Sequence, residues 1–128
     1  MRRPDALLHE MRWRPRWRAL LFLLAGVAAA FAFAPGTGDA PSFSGADKLQ
    51  HVLAFASMAG VGALGFASRA RLAAGLTAYG VFIELVQIWV PGREASAADV
   101  AADAVGIALG LLLVAQARRR WPRSGSNT

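Results

Sequence analysis

The residues able to do chemistry in this chain crowd into three short stretches. The first is Asp47-Lys48 with His51, the second is Glu84 with Gln87, and the third runs from the loop Pro91-Gly92-Arg93-Glu94 to Asp99 and Asp103. Asp47 and His51 are spaced i,i+4, Glu84 and Gln87 i,i+3, and Asp99 and Asp103 i,i+4, so each pair shares one face of a helix. Lys48 and Arg93 suit the holding of a phosphate or carboxylate. His51 with Glu84 or Asp103 suits a proton-transfer pair, or nitrogen and oxygen ligation of a divalent metal. A nucleophile is harder to find. No G-x-S-x-G elbow occurs, and Ser57 and Ser96 stand in no motif. The absence of cysteine excludes disulfides, thiolate zinc sites and cysteine nucleophiles. Catalysis is left open, with His51, Glu84 and Asp103 as its candidates.

The elements that must position these residues are strongly apolar. The chain has 128 residues, enough for one domain, and 55% are hydrophobic against roughly 45–50% in soluble domains. Its mean hydropathy is +0.39. Four apolar runs, at about 19–35, 48–67, 72–90 and 99–116, are each near the roughly 17–25 residues of a transmembrane helix. Residues 1–18 form a basic segment with Trp13 and Trp17 between arginines, which reads as a juxtamembrane anchor rather than a nucleic-acid surface. The first run, with a basic segment before it and Ala32-Phe33-Ala34 near its end, also has the outline of a secretory signal. Its apolar stretch exceeds a typical signal core and Pro35 would follow the cut, so an uncleaved helix is expected. Residues 35–46 read as a Pro/Gly/Ser loop, with Asp47 expected to cap the second helix. Ser68-Arg69-Ala70-Arg71 reads as a basic turn, and residues 118–128 as a basic tail, disordered at its end.

Arginine placement orients the helices. Of the fourteen Lys and Arg residues, twelve lie in the N-terminal segment, the 68–71 turn and the tail, while the other two loops hold only Lys48 and Arg93. The positive-inside rule then predicts an all-α, integral membrane four-helix bundle with both termini cytoplasmic. Trp13, Trp17 and Trp121 mark the inner interface and Trp89 the outer one.

On this topology all three polar stretches reach one depth near the outer face. At about 1.5 Å per residue, His51, Gln87 and Asp103 lie roughly 6 Å into their helices and Glu84 about 10 Å. A charged group there costs about 2.5–3.5 kcal/mol at a helix centre on insertion scales, so each needs a partner or a wet cavity. Asp99, Asp103, Gly106 and Gly110 share a stripe, as do Ala73, Thr77, Gly80 and Glu84, and small residues there allow close helix approach. Plainer roles compete. Asp47 and Asp99 would serve as N-caps, Glu84 and Gln87 as interhelical glue, and Arg93 as an interfacial anchor. The first helix has no polar stripe and reads as scaffold.

The succession D-K-x-x-H, E-x-x-Q and P-G-R, followed by D-x-x-x-D-x-x-G-x-x-x-G, is carried by Asp47, Lys48, His51, Glu84, Gln87, Pro91, Gly92, Arg93, Asp99, Asp103, Gly106 and Gly110. It resembles the VanZ-like family of small bacterial integral membrane proteins over about residues 45–115. One position departs, since the family more often has Asn where this chain has Asp103. The resemblance implies a cytoplasmic-membrane protein, and the name-giving member is associated with resistance to the glycopeptide teicoplanin. It points to a polar site at the extracytoplasmic leaflet, formed by Asp47, Lys48, His51, Glu84, Gln87, Arg93, Asp99 and Asp103. Such a site would bind or process a lipid headgroup or a lipid-linked cell-wall precursor. A divalent metal on His51, Glu84 and Asp103 is one option for it. The alternatives are a structural or accessory protein whose polar cluster only assembles helices, or a small proton-coupled transporter. Membrane lipids are the expected partners, nucleic acid is not, and the oligomeric state is open.

Overall fold

A computed structural model describes residues 4–36 and 45–120; Asp39, Trp121 and the rest of the tail lie outside the described residues. The fold is all-helical, with no strand among the described residues. Its four helices are α1 (Pro4–Phe33), α2 (Ala46–Gly65), α3 (Arg69–Gln87) and α4 (Ala97–Arg120). Two segments, Met11–Phe33 and Ala97–Arg120, are long and apolar enough to cross a membrane.

α2 is the centre of the molecule, and glycine explains how closely its neighbours approach. A Cβ on Gly106 would stand 2.5 Å from the Val52 carbonyl oxygen, and one on Gly110 would collide with that of Ala56. The α4 backbone therefore lies directly on that of α2, as small-xxx-small stripes permit. Successive contacts pair 106 with 52 and 110 with 56, so α2 and α4 run parallel. α1 and α3 run the other way, since Gly65 meets Arg18, and Gly62 meets both Leu21 and Leu72. Phe55, Met58, Ala59, Leu76, Ile83 and Ile107 are among the buried apolar residues.

The helix ends are finished by arginines. At one end of the molecule Arg18 Nε donates to the Gly65 carbonyl at 2.8 Å, and Arg118 Nη2 to that of Ala63 at 3.1 Å. Cations there satisfy the free carbonyls and the negative end of the α2 dipole. Ser68 caps α3, its Oγ accepting from the Arg71 amide at 3.2 Å.

Three local expectations change. α1 runs unbroken from Pro4 through Pro15, so the basic N-terminal segment is continuous with the first helix. Gly45, at φ +93°, occupies the N-cap of α2 with no side-chain cap. Because α2 begins at Ala46, Asp47 falls inside its first turn and cannot cap it. For the same reason Asp99, in the first turn of α4 after Ala97, is not a cap either.

Candidate functional site

Four polar side chains sit where a core would be expected. Glu84, Gln87, Asp99 and Asp103 are each at most 6% exposed, while Phe22, Phe31, Leu113 and Trp89 stand open on the outside. The four buried polar groups lie beside an apolar core, and buried acids together with large exposed apolar side chains depart from the pattern of a soluble protein.

His51, on α2, is the hub. Its Nδ1 lies 2.7 Å from Asp103 Oδ1 on α4. With Asp103 ionised the carboxylate only accepts, so Nδ1–H donates, and in the neutral imidazole Nε2 is then the acceptor nitrogen. Nε2 faces Glu84 Oε1 of α3 at 3.8 Å and Asp99 Oδ2 of α4 at 3.9 Å. The second oxygen of Glu84 accepts the Ser96 amide at 2.9 Å, tying α3 to the start of α4. Lys48 Nζ approaches Asp99 Oδ1 at 3.3 Å and Asp47 Oδ2 at 3.5 Å. Gly80 makes room for the buried acid, since a Cβ there would stand 2.5 Å from Asp103 Oδ2. Glu84 Oε1, Gln87 Oε1 and Asp103 Oδ2 are buried without a hydrogen-bond partner. An orphaned buried polar group costs about 1–3 kcal/mol, more when charged.

Gln87 acts as the interhelical glue that its type suggests, and with Arg93 it engages a partner the sequence did not reveal, α1. Gln87 Nε2 donates to the Ala32 carbonyl at 3.1 Å. Arg93 donates from Nε to Ala34 and from Nη2 to Phe31, both at 3.0 Å. The Gly36 amide bonds the Pro91 carbonyl at 2.9 Å. Gly92, at φ +73°, presses against Gly36. The Pro-Gly-Arg loop thus closes over the C-terminus of α1, satisfying its last carbonyls and the negative end of its dipole. α1 enters the site through backbone carbonyls, which no side-chain pattern reports.

Two cavities meet here. A polar one of about 540 Å³ is lined by Asp47, His51, Gln87, Gly92, Arg93, Glu94 and Asp99. A mainly apolar one of about 390 Å³ lies between α1 and α2, walled by residues such as Leu24, Val27, Phe31 and Leu53. His51, Gln87 and Arg93 border both.

All eight expected site residues therefore lie at one end of the molecule, in several distinct roles. His51, Glu84 and Asp99 converge, with one donor atom of each within 4.8 Å of the others. Asp103 engages the opposite ring nitrogen, so Asp99 takes the place expected for it in that trio. Lys48 restrains Asp99, Gln87 and Arg93 bind α1, and Asp47 stays at the rim. Comparison with curated proteins and with solved structures gives no match. A family model described as VanZ/LLP1 matches residues 7–118, from α1 nearly to the end of α4, and includes every residue of this site. The chain belongs to the VanZ/LLP1 family.

Proposed function

We propose that this protein spans the bacterial cytoplasmic membrane with all four helices, both termini inside, and binds or processes a lipid headgroup or lipid-linked cell-envelope precursor at the outer leaflet. The observation that carries the reading is the junction of the polar and apolar cavities at His51, Gln87 and Arg93. An amphiphile needs such a pair, a wet charged pocket for its head and a hydrocarbon-lined groove for its chain. Lys48 and the remaining donors of Arg93 would hold a phosphate or carboxylate.

Membrane embedding is supported by the apolar exterior around buried acids. α2 has 20 residues, about 30 Å, close to the thickness of the hydrocarbon layer. Arg69 and Arg71 fall in the first turn of α3, where the helix dipole disfavours cations. Retention of positive charge on the cytoplasmic side accounts for them. A narrower reading, in which the polar groups only assemble helices, is favoured for Gln87 and Arg93 by their bonds to α1. It leaves the orphaned oxygen of Glu84 without a purpose.

Native mass spectrometry of the full chain, released gently from detergent, tests the reading. A phospholipid or polyprenyl mass should accompany the protein. His51→Ala should lose it, together with any teicoplanin tolerance conferred on a host, at unchanged membrane abundance. A folded chain that carries no lipid, or a His51→Ala variant that keeps it, would overturn the proposal.

A further inference from the structure

We propose that His51, Glu84 and Asp99 form a binding site for a divalent cation of the first transition row, with Zn²⁺ and Mn²⁺ the best fits. Three helices each supply one ligand. Nε2 of His51 faces Glu84 Oε1 at 3.8 Å and Asp99 Oδ2 at 3.9 Å. A metal with bonds of about 2.0–2.2 Å holds neighbouring ligands roughly 3.0–3.6 Å apart. The three donor atoms lie within 4.8 Å of one another, so binding would draw them together by side-chain rotation.

Convergence of acids alone would not make a site. The independent observation is Glu84, 5% exposed, whose Oε1 has no hydrogen-bond partner and points at the same space as the histidine nitrogen. Its other oxygen is fixed by the Ser96 amide, so Oε1 is held in place facing His51 rather than left to find another donor. The remaining contacts do for the trio what outer residues do in metal centres. Asp103, at 2.7 Å from Nδ1, fixes the ring's tautomer and orientation. Lys48 restrains one oxygen of Asp99 and leaves the other facing His51.

The donor set selects the ion. One imidazole with two carboxylates and no thiolate disfavours Cu⁺ and suits Zn²⁺ or Mn²⁺. Two carboxylate ligands would balance the charge of the ion. With only three protein ligands, further coordination positions stay open toward the polar cavity, which His51 and Asp99 border. The site does not depend on what else that cavity holds.

The test uses the purified full chain in detergent, stripped with chelator and titrated with Mn²⁺, free ion being followed by electron paramagnetic resonance. One ion per chain should bind, displaceable by Zn²⁺. Glu84→Gln and Asp99→Asn should each weaken binding by about a hundredfold, and Asp103→Asn by about tenfold, the span usual for orienting partners. Asp5→Asn, at the far end of α1, should leave binding unchanged. Circular dichroism confirms folding of each variant, and the two ligand variants guard against loss of one. No uptake at millimolar Mn²⁺ or Zn²⁺ would overturn the proposal. So would uptake that a folded Glu84→Gln or Asp99→Asn chain retains at full affinity.

Discussion

Two glycines of α3, five residues apart, make a paired experiment on whether Asp103 is held where the geometry puts it. Gly75 is exposed and has nothing within 4 Å of a built Cβ. Gly75→Ala should therefore stabilise the helix by about 0.5–1 kcal/mol, the ordinary difference between the two residues. Gly80 is buried, and the same methyl would stand 2.5 Å from Asp103 Oδ2 and 3.3 Å from both Asp103 Cγ and Phe55 Cζ. Phe55, 2% exposed, cannot swing away, so the carboxyl must retreat. Its retreat pulls on the 2.7 Å bond to His51. Overpacking of this kind costs about 1–3 kcal/mol. Loss of a hydrogen bond to a charged group would add a similar amount. The two variants, identical in chemistry, should move in opposite directions by several degrees in thermal unfolding of the detergent-solubilised protein. Gly80→Ala should also weaken cation binding as Asp103→Asn does, while Gly75→Ala should not. A Gly80→Ala chain as stable as Gly75→Ala would refute the tight fit of Asp103 against α3.

Two further outcomes follow from the helix ends. A reporter fused within residues 68–71 should register the cytoplasm, because Arg69 and Arg71 lie at the same end as Arg18 and Arg118; an external signal would reverse the proposed orientation. Arg93→Ala should speed amide exchange at the C-terminus of α1, near residues 31–36, since it removes both side-chain bonds to Phe31 and Ala34; unchanged exchange would show that the loop's backbone suffices.

The sequence carries the helices well because their signals are local. Apolar runs, the basic turn at 68–71 and the glycines at 106 and 110 each announce themselves within a few residues. Helix starts are less legible. Gly45 begins α2 through its backbone and leaves no side-chain signature, so Asp47 looked like the cap. That these polar residues would gather at one end was readable from i,i+3 and i,i+4 spacing and the order of the helices, but their wiring was not. Asp99 and Asp103 share a stripe and a chemistry, and the contacts of Gly106 with Val52 and of Gly110 with Ala56 set the rotation of α4 on α2. That rotation gives Nδ1 of His51 to Asp103 and Nε2 to Asp99 and Glu84. The part played by α1 was invisible for a different reason: it consists of carbonyl groups, which every residue has.

The glycines and the acids are therefore parts of one arrangement rather than two. Polar groups can be drawn together inside a hydrocarbon-facing molecule only if the helices bearing them come close enough to exclude lipid between them. Gly106 and Gly110 bring α4 onto α2, and Gly80 opens the space on α3 that Asp103 fills. Without that approach His51 would be left facing an apolar environment alone, at an energetic cost that nothing nearby would offset. With it, three helices deliver their donors to a single point, and the Pro-Gly-Arg loop seals the fourth beside them. The close packing comes first, and the chemistry of the site depends on it.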